Sequence, residues 1–146
     1  LDRTDKTEDG KTILIDYKTG TVDSPKKWFE ERMEAPQLPL YALQVQTDAV
    51  AYANVKSGEH KFKGITTQDN LIPKLESNLS KYNQDIHSWE DLKNFWKTNL
   101  NGIAKEFLEG HLKVAPLDVK DTCKYCDQVT FCRKTELLAS ANGEEA

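Results

Sequence analysis

Three consecutive apolar residues, Ile13-Leu14-Ile15, constrain this chain more than any other feature. Side chains of a strand alternate between its two sides, so an unbroken apolar run needs cover on both faces. A strand of this kind belongs inside a sheet that has layers packed above and below it. Asp9-Gly10 before it is a strong hairpin turn, and Thr19-Gly20 after it is a stop, so residues 1–18 read as a β-hairpin. A chain of 146 residues can bury roughly two thirds of its unfolded surface in one domain without disulfide staples. Its 38% hydrophobic and 30% charged residues exclude disordered and fibrous classes.

Residues 20–35 read as a charged loop or a poorly formed helix. A helix is expected over Pro36–Gln46, with Pro36 and Pro39 tolerated only in its first turn. Ala49–Lys56 alternates as a strand, and 60–64 pairs with it across the Ser57-Gly58 turn. Leu71, Leu75 and Leu79, four apart, predict a helix over about 67–82. A second helix starts at Ser88, with Asp91 three residues on as an acidic capping box. Trp89, Leu92, Phe95, Trp96, Leu100, Ile103 and Phe107 form its stripe, read as core, and Gly110 stops it. The tail after about Leu138 reads as frayed. The fold class is therefore α/β, a mixed central sheet flanked by helices. The organisation expected is one domain, with a core over 1–118, a cysteine-rich segment over 119–134 and the tail.

Twenty Lys+Arg against 24 Asp+Glu give a net charge of −4, which argues against a general nucleic-acid sponge while leaving room for a local cationic groove. No apolar run reaches the ~18 residues of a membrane span, and no export signal is visible, so no membrane partner is expected. The only Met is Met33, and the chain opens on Leu1-Asp2-Arg3, which reads as an excised piece of a longer protein. Three cysteines, an odd number close together, argue against a disulfide framework and for metal-holding thiols in a reducing cytoplasm.

Three groups of residues carry chemistry. Asp16 and Lys18, two apart on a strand, share a face, while Tyr17 points the other way. Asp2 on the partner strand can bring its carboxylate beside Asp16, and two convergent carboxylates make a hard oxygen site suited to Mg²⁺ or Mn²⁺. A lysine beside such an ion can stabilise charge on a phosphate, so the parts suit phosphodiester hydrolysis. The blander reading is a surface ion pair. Gln37 and Tyr41 share one helix face and can contact phosphate or base, although core support is the commoner use of such a pair. Cys123, Cys126 and Cys132 form a C-x₂-C-x₅-C array, one ligand short of a tetrahedral zinc or an iron–sulfur cluster. His111 is one candidate fourth ligand, and three unrelated buried thiols are the alternative.

Leu1-Asp2-Arg3-Thr4-Asp5, Asp9-Gly10, Ile15-Asp16-Tyr17-Lys18-Thr19-Gly20 and Gln37-Leu38-Pro39-Leu40-Tyr41 together resemble the PD-(D/E)xK nuclease domain of the RecB/AddB type, a restriction-endonuclease-like fold. The cysteine array resembles that family's iron–sulfur branch. The resemblance covers about residues 1–41 and 119–134. It implies a DNA nuclease of exonuclease type, from a bacterial helicase–nuclease or recombination-repair protein with a helicase subunit or domain as partner. It makes Asp2, Asp16 and the backbone carbonyl of Tyr17 ligands of Mg²⁺ or Mn²⁺. Lys18 becomes the catalytic lysine, and Gln37 and Tyr41 become DNA-contacting or site-supporting residues. Cys123, Cys126 and Cys132 become three of four ligands of a [4Fe–4S] cluster. Asp5 is secondary, on the opposite strand face. The family's first helix, with a further active-site residue and the first cluster cysteine, would precede Leu1, so the cluster is expected to be incomplete in this piece and its activity weak. The alternatives are a catalytically silent DNA-binding or scaffold module of the same fold, and a small zinc module built on the cysteines.

Overall fold

A computed structural model describes residues 2–56, 58–111 and 114–133. The chain divides into two compact units, 1–104 and 105–146. In the first, β1 (Arg3–Lys6), β2 (Thr12–Lys18), β3 (Ala49–Lys56) and β4 (Glu59–Thr66) form one sheet in the order β1-β2-β3-β4. β1–β2 and β3–β4 pair antiparallel, and β2–β3 pairs parallel. The hairpin turns at Gly10, whose φ of 82° suits glycine. The connection from β2 to β3 carries a 3₁₀ turn (Pro25–Phe29) and helix α1 (Gln37–Gln44).

Both faces of β2 are covered, as the apolar run requires. On one face Leu14 packs with Val50, Tyr52 and Ile65 of the sheet, Trp28 and Phe29 of the 3₁₀ turn, Leu38 and Ala42 of α1, and Leu92 and Trp96 of helix α2 (Trp89–Leu108). On the other face Ile13 and Ile15 pack with Ala49, Ala51, Ala53 and Ile72. The larger core is pinned where the Trp96 indole N–H donates to the Trp28 carbonyl at 2.8 Å, so its buried polar atom is satisfied. α1 begins where expected: Pro36 sits at its cap, and Pro39 falls in the first turn. α2 has the expected box, with Asp91 N–H donating to Ser88 Oγ at 3.1 Å and Ser88 N–H to Asp91 Oδ2 at 2.9 Å.

Two expectations are corrected. Residues 67–82 form no long helix: the stretch runs beside β4, bridged at Ile65–Glu76, and ends in a 3₁₀ turn at Leu79–Lys81. Pro73 lacks the donor a helix interior needs, and Asn70 and Lys74 take positive φ of 64° and 68°. Leu71 and Leu75 pack on one core and Leu79 in the other, a division no single helix face permits. The α2 stripe is core only as far as Leu100; Ile103 and Phe107 are exposed.

In the second unit, α2 ends at Leu108, followed by Gly110 at φ 72° as expected, with the short helices α3 (Val119–Thr122) and α4 (Val129–Cys132) beyond. The proposed frayed tail after Leu138 lies outside the described residues.

Candidate active site

Register decides which side chains meet. Arg3 pairs with Ile15, so Asp2, one step back, stands opposite Asp16. Its Oδ2 accepts the Tyr17 backbone N–H at 2.8 Å, which fixes the chain entering β1 against β2. On the other side Asp16 pairs with Tyr52 and Tyr52 with Lys63, while Lys18 pairs with Asn54 and Asn54 with Lys61. Laterally paired residues project from the same face. One face of the sheet therefore carries a row Asp2–Asp16–Tyr52–Lys63 and, one step on, a row Lys18–Asn54–Lys61.

Asp16 is 2% exposed, and its Oδ2 has no hydrogen-bond donor directed at it. The Lys18 ammonium stands 2.6 Å from that oxygen, an ion-pair contact off the direction of a hydrogen bond. This contact with Asp16 holds the Lys18 pKa above the usual lysine value, against the opposing cost of burial, so the ammonium stays charged. The Tyr52 ring lies under the same ammonium, 5.7 Å from nitrogen to centroid, within cation–π reach. Tyr52 packs 5.3 Å from Trp28, and burial first of all raises its pKa, which keeps the phenol neutral. Lys18 and Tyr52 line a cleft of about 300 Å³ with Thr21, Asp23, Glu34 and Gln37.

Of the residues singled out from sequence, Lys18 and Gln37 line this cleft, while Asp16 contacts Lys18 and Asp2 stands opposite Asp16 in the strand register. Tyr41, one turn on from Gln37 along α1, borders a neighbouring hollow with Thr4, Lys6 and Thr12. Tyr17 turns its ring to the opposite face, where its hydroxyl accepts from Arg3 at 3.3 Å, and Asp5 lies on that face too, bonded to Arg3 at 2.7 Å. Tyr52 was not foreseen. Its signal is the strand-to-strand register, which composition and spacing do not carry.

A scan against family models matches residues 1–133 to the PD-(D/E)XK nuclease superfamily. The chain belongs to the PD-(D/E)XK nuclease superfamily. No curated protein and no solved structure matches it. The mixed four-stranded sheet flanked by helices agrees with this family's restriction-endonuclease-like fold. PD-(D/E)XK proteins are generally nucleases, typically use divalent metals, and act on DNA.

The chemistry of the donors, carboxylate oxygen, is that of a hard divalent ion. The Asp16 carboxylate already holds the Lys18 ammonium, and Asp2 stands opposite it in register as a second carboxylate on the same face, so the oxygen donors here are two, short of three convergent side-chain ligands among the described residues. The cysteines of this PD-(D/E)XK chain fit a cluster less well. Among the described residues no three of His, Cys, Asp or Glu converge on a metal-sized site. Cys126 and Cys123 sit in one turn, with Cys126 N–H bonded to the Cys123 carbonyl at 3.3 Å, while Cys126 Sγ accepts from the Gln128 N–H at 3.4 Å. His111 lies 3.9 Å from Glu109. No helix among the described residues is long and apolar enough to cross a membrane.

Proposed function

We propose that the chain hydrolyses phosphodiester bonds of DNA with Mg²⁺ or Mn²⁺, as the nuclease part of a bacterial helicase–nuclease or recombination-repair protein, and that it acts as an exonuclease. The observation that carries this reading is the buried Asp16 carboxylate in direct contact with the charged Lys18 ammonium, which itself lines a cleft.

Asp2, Asp16 and the Tyr17 backbone carbonyl would hold the ion. Once bound, the ion supplies a nucleophilic water at neutral pH and offsets charge on the phosphate. Lys18, kept protonated by Asp16, donates to a non-bridging phosphate oxygen and stabilises the charge that grows there. Tyr52 fixes the ammonium from below through its ring. Gln37, with Tyr41 one turn on along α1, contacts the strand from the α1 side. The cytoplasm is the compartment this reading implies. A [4Fe–4S] cluster held in part by Cys123, Cys126 and Cys132 rests on the resemblance of their array to the iron–sulfur branch, and no step of the reaction passes through it.

The test is cleavage of linear single- and double-stranded DNA with Mg²⁺ or Mn²⁺. Loss of cleavage in EDTA and in both Asp16→Ala and Lys18→Ala supports the reading. A folded protein that cuts neither substrate overturns it in favour of a silent DNA-binding module.

A further inference from the structure

The rows that build the active site do not stop at it. Crossing the sheet from β1 to β4, the first row runs Asp2, Asp16, Tyr52, Lys63 and the second Lys18, Asn54, Lys61, so charge changes sign across the face. Lys56 adds a further cation at the end of β3, with Glu59 of β4 as its partner in register. A second cleft of about 310 Å³ lies at the lysine end, lined by Thr19, Gly20, Thr21, Asn54, Lys56, Lys61 and Lys63. It shares the wall residues Thr21 and Val22 with the cleft at Lys18, so the two are neighbours. The shared wall is fixed: Asn54 Nδ2 donates to the Gly20 carbonyl at 2.8 Å, and Lys63 Nζ to the Val22 carbonyl at 2.8 Å. Asp23 and Glu34 in the first cleft share Lys27, which offsets one of their two negative charges.

We propose that this second cleft is a phosphate tract, in which Lys56 and Lys61, with the Thr19 and Thr21 hydroxyls, grip the DNA backbone beside the bond being cut. The proposal rests on the nuclease reading and adds where the strand runs: away from the carboxylates, over β3 and β4. Charge complementarity identifies the occupant. In a chain of net charge −4, a polar cleft with three lysines on its walls suits a polyanion, and lysine and threonine are ordinary phosphate contacts. The reach also suits it. Strands are ~4.8 Å apart, so Lys18 and Lys61 stand roughly 10 Å from one another at the backbone. That is about three stacked nucleotides of one strand at ~3.4 Å each. Lys63 serves as the strut that holds the wall.

The experiment measures binding of fluorescein-labelled single- and double-stranded oligonucleotides by anisotropy in EDTA, across a salt series. Each phosphate-contacting lysine contributes about 0.9 to the slope of log K against log salt on duplex DNA, and about 0.7 on a single strand. The double variant Lys56→Gln/Lys61→Gln should weaken binding and flatten that slope by about twice this amount. Lys97→Gln, exposed on α2, is the control and should leave the slope as it is. A wild type that cuts DNA alongside a double variant with an unchanged slope overturns the tract and leaves the nuclease reading standing. A wild type that neither cuts nor binds overturns both.

Discussion

Asp16 is the residue at which stability and function pull apart. Burying the Asp16 carboxylate costs the fold desolvation free energy that its one contact with Lys18 offsets only in part, and Lys18 is exposed enough to remain solvated alone. Asp16→Asn should therefore abolish cleavage and still raise the melting temperature in EDTA by about 2–4 °C, the shift that 1 kcal/mol makes in a domain of this size. A lower melting temperature would show that the carboxylate is structural. Lys18→Ala should lower the cleavage rate about 10²–10³-fold, the usual loss for one group aimed at developing charge, and should also lower the melting temperature, because it leaves the buried Asp16 carboxylate without its cation. The parts of this site that lie on one strand were legible as sequence, because Asp-x-Lys fixes a shared face. Tyr52 and the lysines of β4 were not. Their place depends on how far strands distant in sequence slide against one another, which no local pattern encodes.

The elements differ in what fixes them. α2 depends on its first turn, where Ser88 and Asp91 satisfy each other's backbone donors; Ser88→Ala should cost about 1 kcal/mol, read from the denaturant midpoint. β4 depends on Gly64. A side chain there would meet the Val50 carbonyl oxygen at 2.1 Å and the Ala51 Cα at 2.7 Å, both backbone atoms that cannot step aside. Gly64→Ala should destabilise by on the order of 3 kcal/mol, and a variant that melts like wild type would mean that β3 and β4 are not so closely apposed. The hairpin, α1, β3 and α2 could be read directly, since each has a period, a turn or a cap of its own. Leu71, Leu75 and Leu79 have helical spacing but belong to two cores on opposite sides of the sheet. Trp28 and Phe29 sit in a charged stretch with no period, yet they become buried core because the β2-to-β3 connection folds back over the sheet.

At the scale of the whole molecule, acid is the vulnerable direction. Burial raises the Asp48 pKa, but the Thr12 N–H and Lys11 outweigh it, so the net shift is downward. Glu76 is lowered first by Lys81, and Asp91 first by the Ser88 hydroxyl. A depressed carboxylate contributes stability above its unfolded pKa and loses it as pH falls through the folded one. The melting temperature should hold from pH 7 to about 5 and drop below that; a melt still unchanged at pH 3 would contradict these shifts. The same compactness gives the protein an optical signal of its own. Trp28 and Trp96 are shut away from water, and Trp28 touches Tyr52, whose ring carries the Lys18 ammonium. The near-ultraviolet dichroism of the folded chain should thus come largely from one rigid aromatic group, and a cation entering between Asp2 and Asp16 would register in it without any label.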